Sequence, residues 1–374
     1  MTRHPAHRIP FDVLVDNLER AVAARHVVRR AGPEGLTLYG YTDRCLYDAA
    51  WDETTIAARG LILSHTEKRI VATPFPKFFN YGERAALIPD LPFDATEKID
   101  GSLIVVFHHA GRWRAVTRGS FDGSHALWAQ AFIDARDLSP LTPGVTYLAE
   151  AIYPENRIVI AYKEATLRFL AAYDGQGIEL SYDEVARAAA ALGLTIAERH
   201  AFSSILDLAS FTKDLPVDRE GFVVRFANGL RLKFKGDAYS RLHALIAGIT
   251  PLNIWGLMAG GDDLDAVRET IPEEFWGDFD AIRGALEARR TALLAKVTAL
   301  VESTRDLSDK DIGLRMSSFD PLAAGYIFAV RKKGGVFADP RAKQKFFRDI
   351  RPDGNVLEDY KPTSAMSKVL EDIG

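Results

Sequence analysis

The chain has 374 residues, of which 47% are apolar and 26% charged, and a net charge of −4. At about 150 residues per domain the length suggests two domains or three, with the composition of an ordinary soluble globular protein. The slightly acidic balance excludes a generally basic nucleic-acid binder and leaves that role to a local patch. The single cysteine, Cys45, excludes an intrachain disulfide and reads as a small buried residue in a reducing compartment. No apolar run approaches membrane-spanning length. The opening Met1-Thr2-Arg3-His4-Pro5 lacks the apolar stretch of a signal peptide, so a cytoplasmic protein is expected; a monomer is expected as well.

In chain order, a helix is expected over roughly 11–30. Short apolar runs separated by turns follow at Leu61–Leu63, after Arg59-Gly60, and at Ile70–Thr73, before Pro74. The string Glu97-Lys98-Ile99-Asp100-Gly101-Ser102 leads into Leu103–Phe107, five apolar residues that read as a buried strand. With Trp113–Thr117 that run forms an expected hairpin whose turn holds His108-His109. Helices are expected over 124–136, 182–193 and 203–209. Further strands are expected at Thr146–Ala149, Ile158–Tyr162, Leu167–Ala172, Phe222–Phe226 and Leu230–Phe234, the last two joined by Asn228-Gly229. These make residues 1–240 an α+β domain with a largely antiparallel sheet. After Tyr239 the strand pattern stops. Thr250-Pro251, Asp339-Pro340 and Thr270-Ile271-Pro272-Glu273 are helix starts, and Phe275, Phe279, Ile282, Leu286, Leu293, Val297 and Leu300 mark one long amphipathic helix. Residues 241–374 are therefore expected to be an all-α C-terminal domain.

Polar residues cluster at the ends of the expected strands. Glu150 closes one, Glu220-Gly221 opens another, and Arg59-Gly60 precedes a third. Lys233 and Lys235 are two apart in a strand, so both ammonium groups share one face while Leu232 and Phe234 take the other. Singly, each pattern is better explained by a turn or a solvated strand face. Together with Lys98, three lysines and an arginine suit a polyphosphate, and the carboxylates suit a divalent metal or a ribose.

The order Lys98-Ile99-Asp100-Gly101, Glu150, Glu220-Gly221, Lys233-Phe234-Lys235 resembles the signature of covalent nucleotidyltransferases. Pro74-Phe75-Pro76-Lys77-Phe78-Phe79-Asn80, Ala58-Arg59-Gly60, Thr117-Arg118-Gly119-Ser120 and the run Glu150–Val159 narrow the resemblance to the phage-type RNA ligase 1 family, over roughly residues 55–240. The resemblance implies an antiparallel-sheet adenylation domain and three steps. Lys98 attacks the α-phosphate of ATP, the AMP passes to an RNA 5′-phosphate, and an RNA 3′-hydroxyl displaces it. It further implies that Glu150 holds the ribose, that Glu220 organises Mg2+ or Mn2+ with Asp100 acting through water, and that Lys233 and Lys235 contact the α-phosphate. Arg59, Lys77, Phe79 and Gly101 match family positions around the nucleotide; Arg118 stands where the family usually has lysine. Leu170 is the candidate for packing on adenine. A free lysine, with a pKa near 10.4, is protonated, and neighbouring Lys233 and Lys235 are expected to lower that value at Lys98.

From Arg331 to Arg351 basic residues alternate with Phe337, Phe346 and Phe347, which fits either an RNA-binding face through Lys343, Lys345 and Arg348 or a helix with its phenylalanines in a core. The expected partner is RNA with 5′-phosphate and 3′-hydroxyl ends, tRNA among the candidates. No kinase or phosphatase segment is recognisable, so end-healing would come from a separate enzyme. The competing readings are a DNA ligase or capping-type nucleotidyltransferase, and a non-catalytic RNA-binding protein on a ligase fold.

Overall fold

The computed structural model describes residues 3–83, 88–156, 159–160, 162–271, 275–358 and 360–362, with only the backbone of Glu155. Contacts divide the chain into two compact units, Met1–His243 and Ala244–Ile373. The first unit is α+β. Its strands are β1 (Val27–Ala31), β2 (Leu36–Tyr41), β3 (Arg59–Ser64), β4 (Arg69–Ala72), β5 (Phe79–Asn80), β6 (Phe93–Lys98) and β7 (Ser102–His109). They continue with β8 (Arg112–Thr117), β9 (Thr146–Ile152), β10 (Thr166–Tyr173), β11 (Thr195–Ile196), β12 (Arg199–His200), β13 (Gly221–Phe226) and β14 (Arg231–Lys235). Three sheets result, ordered β1-β2-β3-β4, β11-β10-β9-β7-β8 and β12-β6-β13-β14-β5. All pairings are antiparallel except β10 with β11 and β14 with β5.

The apolar patterns explain the layers. Leu61 and Leu63 of β3 pack on Leu14 and Leu18 of the helix Phe11–Ala23, while Ile62 between them joins Leu36 and Leu38 on the other face. That second face meets Val105 and Phe107 of β7. Ile104 and Val106 point the other way, onto the helices Ser124–Asp134 and Tyr182–Ala191 through Ala129, Ile133, Val185 and Ala189. The unbroken run of residues 103–107 is thus a strand covered on both faces. In the third sheet Phe222, Val224, Phe226, Leu232 and Phe234 pack with Leu208 of the helix Ile205–Lys213, leaving Lys233 and Lys235 on the opposite face.

Three local expectations are corrected. The first helix ends at Ala23, because Arg25 turns at φ 62° and the β-branched Val27 and Val28 start β1. His108 and His109 lie inside β7. The turn is Ala110-Gly111, both at positive φ (49° and 77°), the backbone that a two-residue hairpin favours. Of the expected strand Ile158–Tyr162, residues 157, 158 and 161 lie outside the described residues, and Val159 and Ile160 form a bend.

The second unit is helical. Thr250 and Asp339 cap the helices Pro251–Gly260 and Pro340–Asp349 with their side-chain oxygens. The expected cap at Thr270–Glu273 runs into residues 272–274, outside the described residues. The long helix Trp276–Ser303 buries Phe279, Ile282, Leu286, Leu293 and Val297. In the basic stretch, Phe346 and Phe347 sit in the core with Tyr326 and Leu293. Lys345 pairs with Asp349 and the Tyr326 hydroxyl, Lys343 is half-buried, and Arg348 is exposed.

In the first unit the N-terminal segment is pinned to the end of β10. His4 donates its backbone N–H to the Gly177 carbonyl, and its ring stands edge-on to Tyr173. His7 bonds the Thr73 hydroxyl at 2.8 Å. Burial, together with nearby Arg8 and Arg231, pushes the His4 ring down to about 3; burial and Arg3 push His7 down to about 4. In the unfolded chain both would titrate near 6.5. Below that pH the unfolded state binds more protons, so stability is complete above neutrality and falls as pH drops towards 4. Each ring costs on the order of 2 kcal/mol by about pH 4.5. In urea melts across this range, His4→Asn, which keeps a capping oxygen without titrating, should show a shallower acid decline than the parent. Equal declines would contradict the assignment.

Candidate active site

Lys98 ends β6, and the register of the third sheet puts it opposite Gly221 of β13, which in turn stands opposite Lys235 of β14. The two lysines therefore flank one glycine across three strands. Glu220, the residue before that glycine, is only 2% exposed and closes the row. Its Oε2 accepts from Lys98 Nζ at 2.6 Å, and its Oε1 lies 3.1 Å from Lys235 Nζ. Gly221 has φ 145°, and a Cβ there would sit 1.9 Å from the Phe234 carbonyl oxygen. Only glycine lets β13 and β14 approach closely enough for one carboxylate to reach both ammonium groups.

Burial alone would lower the Lys98 pKa. Glu220, Glu150 and Asp100 outweigh it and hold the ammonium above its ordinary value. The expected depression falls on Lys233 instead. Burial, then Arg59, Lys98, Lys77 and Lys235, push that amine well below its ordinary value. The difference is positional, because the carboxylate that neutralises Lys98 is beside it while Lys233 stands among cations.

Two of those cations, Arg59 and Lys77, arrive from the first sheet and the segment after it. Lys77 sits 5.2–5.6 Å from the rings of Tyr41, Trp51 and Phe79, a cage in which Phe79 is buried. Arg118 donates to the Tyr41 hydroxyl at 3.0 Å. Gly60 makes this possible: at φ 92° it lies against the Arg118 backbone, where a Cβ would come within 2.9 Å of the carbonyl oxygen. Burial would raise the Tyr41 hydroxyl, but Arg59, Arg118 and Lys77 outweigh burial and bring it below its ordinary value. Arg59 lies over Phe78, and one of its buried terminal nitrogens has no hydrogen-bond partner among the described residues.

Glu150 of β9 stands opposite Leu103, at the mouth of β7, and contributes to the field at Lys98 and Arg59. Gly101 is required beside it, since a Cβ would fall 2.4 Å from the Ala151 carbonyl oxygen. Leu170 occupies the register shift of β10 between Phe169 and Ala171, and it packs at the edge of the Ile99, Ile152 and Ala197 cluster under the Lys98 turn. A bulge of this kind re-aims one side chain.

Asp100 is tied elsewhere. Its Oδ2 accepts from the Val159 and Ile160 amides at 2.9 and 2.8 Å, and its Oδ1 accepts from the Tyr239 hydroxyl at 2.9 Å. It is 2% exposed, and burial with Glu220 nearby pushes its carboxyl up to about 6. The Val159–Ile160 bend follows from these bonds. With Asp100 and Glu220 both engaged in this way, no group of three or more His, Cys, Asp or Glu among the described residues is placed to hold a metal directly. Tyr162, whose hydroxyl accepts from the Asp100 amide at 3.1 Å, joins the site with Tyr41, Trp51 and Tyr239, none of them a candidate from the sequence. Lys343, Lys345 and Arg348 belong to the second unit.

A family model described as RNA ligase, of the T4 RNA ligase 1 type, matches residues 57–239. An RNA ligase of Rhodothermus phage RM378 is 22% identical over 213 residues, 43% of this chain and 48% of its own. A protein of Autographa californica nuclear polyhedrosis virus, assigned as a bifunctional polynucleotide kinase/RNA ligase, is 28% identical over 221 residues, 50% of this chain and 31% of its own. The chain thus spans about half the length of the phage relative and about a third of the viral one. Among solved structures, an archaeal ATP-dependent RNA ligase aligns over 98% of both chains at 16% identity with a TM-score of 0.49.

Proposed function

We propose that this chain, whose residues 57–239 match the phage-type RNA ligase family, is an ATP-dependent enzyme that joins RNA 3′-hydroxyl and 5′-phosphate ends. The observation that carries the reading is the Lys98–Glu220–Lys235 row, closed over Gly221 and ringed by Lys233, Lys77 and Arg59. Such a row offers one nucleophile amid charges matched to a triphosphate.

In the first step the Lys98 ammonium loses a proton, Glu220 Oε2 being the acceptor already in contact. The nitrogen lone pair then forms a bond to the α-phosphorus of ATP as the bond to the pyrophosphate oxygen breaks. Lys233 and Lys235 stabilise charge on the α-phosphate, and Arg59 and Lys77 take the departing pyrophosphate. Glu150 accepts from the ribose hydroxyls, and Leu170 packs on the adenine. Asp100 is a positioning residue that fixes the turn after Lys98 through Tyr239 and the 159–160 amides. Glu220, with Asp100 acting through water, would hold a divalent cation, Mg2+ or Mn2+, whose charge would screen the triphosphate. The AMP then passes to an RNA 5′-phosphate, and the 3′-hydroxyl displaces it.

In this reading the natural reaction is RNA break repair, tRNA among the substrates, with ends healed by a kinase and phosphatase. The viral relative, assigned both kinase and ligase activities, supports that pairing. The test is an acceptor panel with ATP and magnesium: 5′-phosphorylated single-stranded RNA, a nicked RNA duplex and nicked DNA. RNA ends should be joined and nicked DNA left open. Equal or better sealing of DNA would replace this reading with a DNA ligase.

A further inference from the structure

A second cationic cleft lies in the first unit between the β1–β2 turn and β8. Arg112 and Arg114 share one face of β8, and Arg30 of β1 borders the same cleft. Arg114 is the unusual member. It is 5% exposed, and among the described residues its Nε has no hydrogen-bond partner and its ion pair, at 2.5 Å, is to Glu34. Glu34 is itself exposed and held at φ 55°, a left-handed conformation uncommon outside glycine. A guanidinium this buried, with a solvent-facing partner on one side only, is under-neutralised and favours a second anion. Arg30 and Arg112 are exposed at the rim. Asp122, the other acid in the lining, is engaged by the Ser120 hydroxyl.

An aromatic ring completes the cleft. Phe121 lines it half-buried and lies so close over Gly32 that a Cβ there would come within 2.4 Å of the ring. A phosphate next to a flat apolar ring is what one nucleotide of an unpaired strand requires. A free phosphate or pyrophosphate would use the arginines and ignore the ring. The cleft also adjoins the nucleotide site: from Arg114 the rest of β8 leads to Thr117 and on to Arg118 just past its end, about 13 Å along the chain, and Arg118 meets Tyr41 beside Arg59.

We propose that this cleft binds one nucleotide of a single-stranded RNA substrate, its phosphodiester on Arg30, Arg112 and Arg114 and its base against Phe121. The identity of the strand rests on the RNA ligase reading; the cleft and its charge do not. The test measures binding of a fluorescein-labelled, 5′-phosphorylated RNA 12-mer by anisotropy over a salt series. Self-adenylylation is followed in parallel by intact mass. The proteins are the parent, Arg30→Ala/Arg112→Ala, Phe121→Ala, and Arg187→Ala, an exposed arginine on the helix Tyr182–Ala191, as a charge control.

The double variant should bind RNA about tenfold more weakly, and its salt slope should fall by about one to two. Phe121→Ala should lose about tenfold in RNA binding while pyrophosphate competes as well as with the parent. Arg187→Ala should match the parent, and all four should take up AMP alike. RNA binding unchanged in both cleft variants would overturn the proposal, as would losses equalled by Arg187→Ala. A parent that takes up AMP yet fails to bind the RNA would also overturn it and leave the adenylation chemistry standing. Pyrophosphate competition weakened in the double variant with RNA binding intact would make the cleft a free-anion site. Failure of AMP uptake with RNA binding as expected would overturn the enzymatic reading alone.

Discussion

Gly221→Ala is expected to lose self-adenylylation and to destabilise the first unit by about 3 kcal/mol or more, which for a unit of this size lowers its melting temperature by roughly 6–12 °C. The added methyl would sit 1.9 Å from the Phe234 oxygen, 2.8 Å from its carbonyl carbon and 3.0 Å from the Lys235 Cα. All three are backbone atoms in the middle of a sheet, so no rotamer relieves the overlap. The φ of 145° adds strain for any side chain. Relief requires β14 to move away from β13, and that movement carries Lys235 off Glu220. Thermal melts with intact-mass detection of AMP measure both effects on one sample. A variant that melts with the parent and still takes up AMP would show that the three-strand row is not what holds the lysines in place.

The row itself was legible in the sequence to an unusual degree. Lys233 and Lys235 share a face because a strand alternates. Leu103–Phe107 is buried on both faces, as an unbroken apolar run implies. The Asn228-Gly229 turn sets the β13–β14 register that brings Lys235 opposite Gly221. Glu220, Gly221, Lys233 and Lys235 fall within sixteen residues, so local rules nearly suffice for them. What joins them to Lys98 is the β6–β13 pairing, across more than a hundred residues, and no local pattern encodes it.

The illegible parts share that cause. Asp100 adjoins Lys98 in the sequence, but the groups that hold it do not: they are Tyr239, 139 residues away, and amides some 60 residues away. Tyr41 and Trp51 carry no motif; only the fold brings β2 and the loop holding Trp51 around Lys77 as a cage. The Lys98 shift runs opposite to the expected depression because the distances to Glu220 and to the other lysines decide it, and alternation gives directions without distances. Lys343, Lys345 and Arg348 show the opposite failure. Composition alone leaves an RNA-binding face and a core-facing helix level, and the burial of Phe346 and Phe347 settles where those two rings go.

The central claim is that Lys98 is the covalent nucleophile. An intact-mass spectrum after incubation with ATP and magnesium should show one AMP added to the parent protein and none added to Lys98→Ala. The amine begins as an ammonium stabilised by Glu220, so the rate of addition should climb as pH rises from neutral into the alkaline range, where more of it sheds its proton. Lys98→Ala keeps the surrounding cations and should still bind the nucleotide, so loss of the adduct would reflect loss of the nucleophile. An AMP adduct that persists on Lys98→Ala, or a parent that never acquires one over a range of pH and divalent metals, would contradict the account.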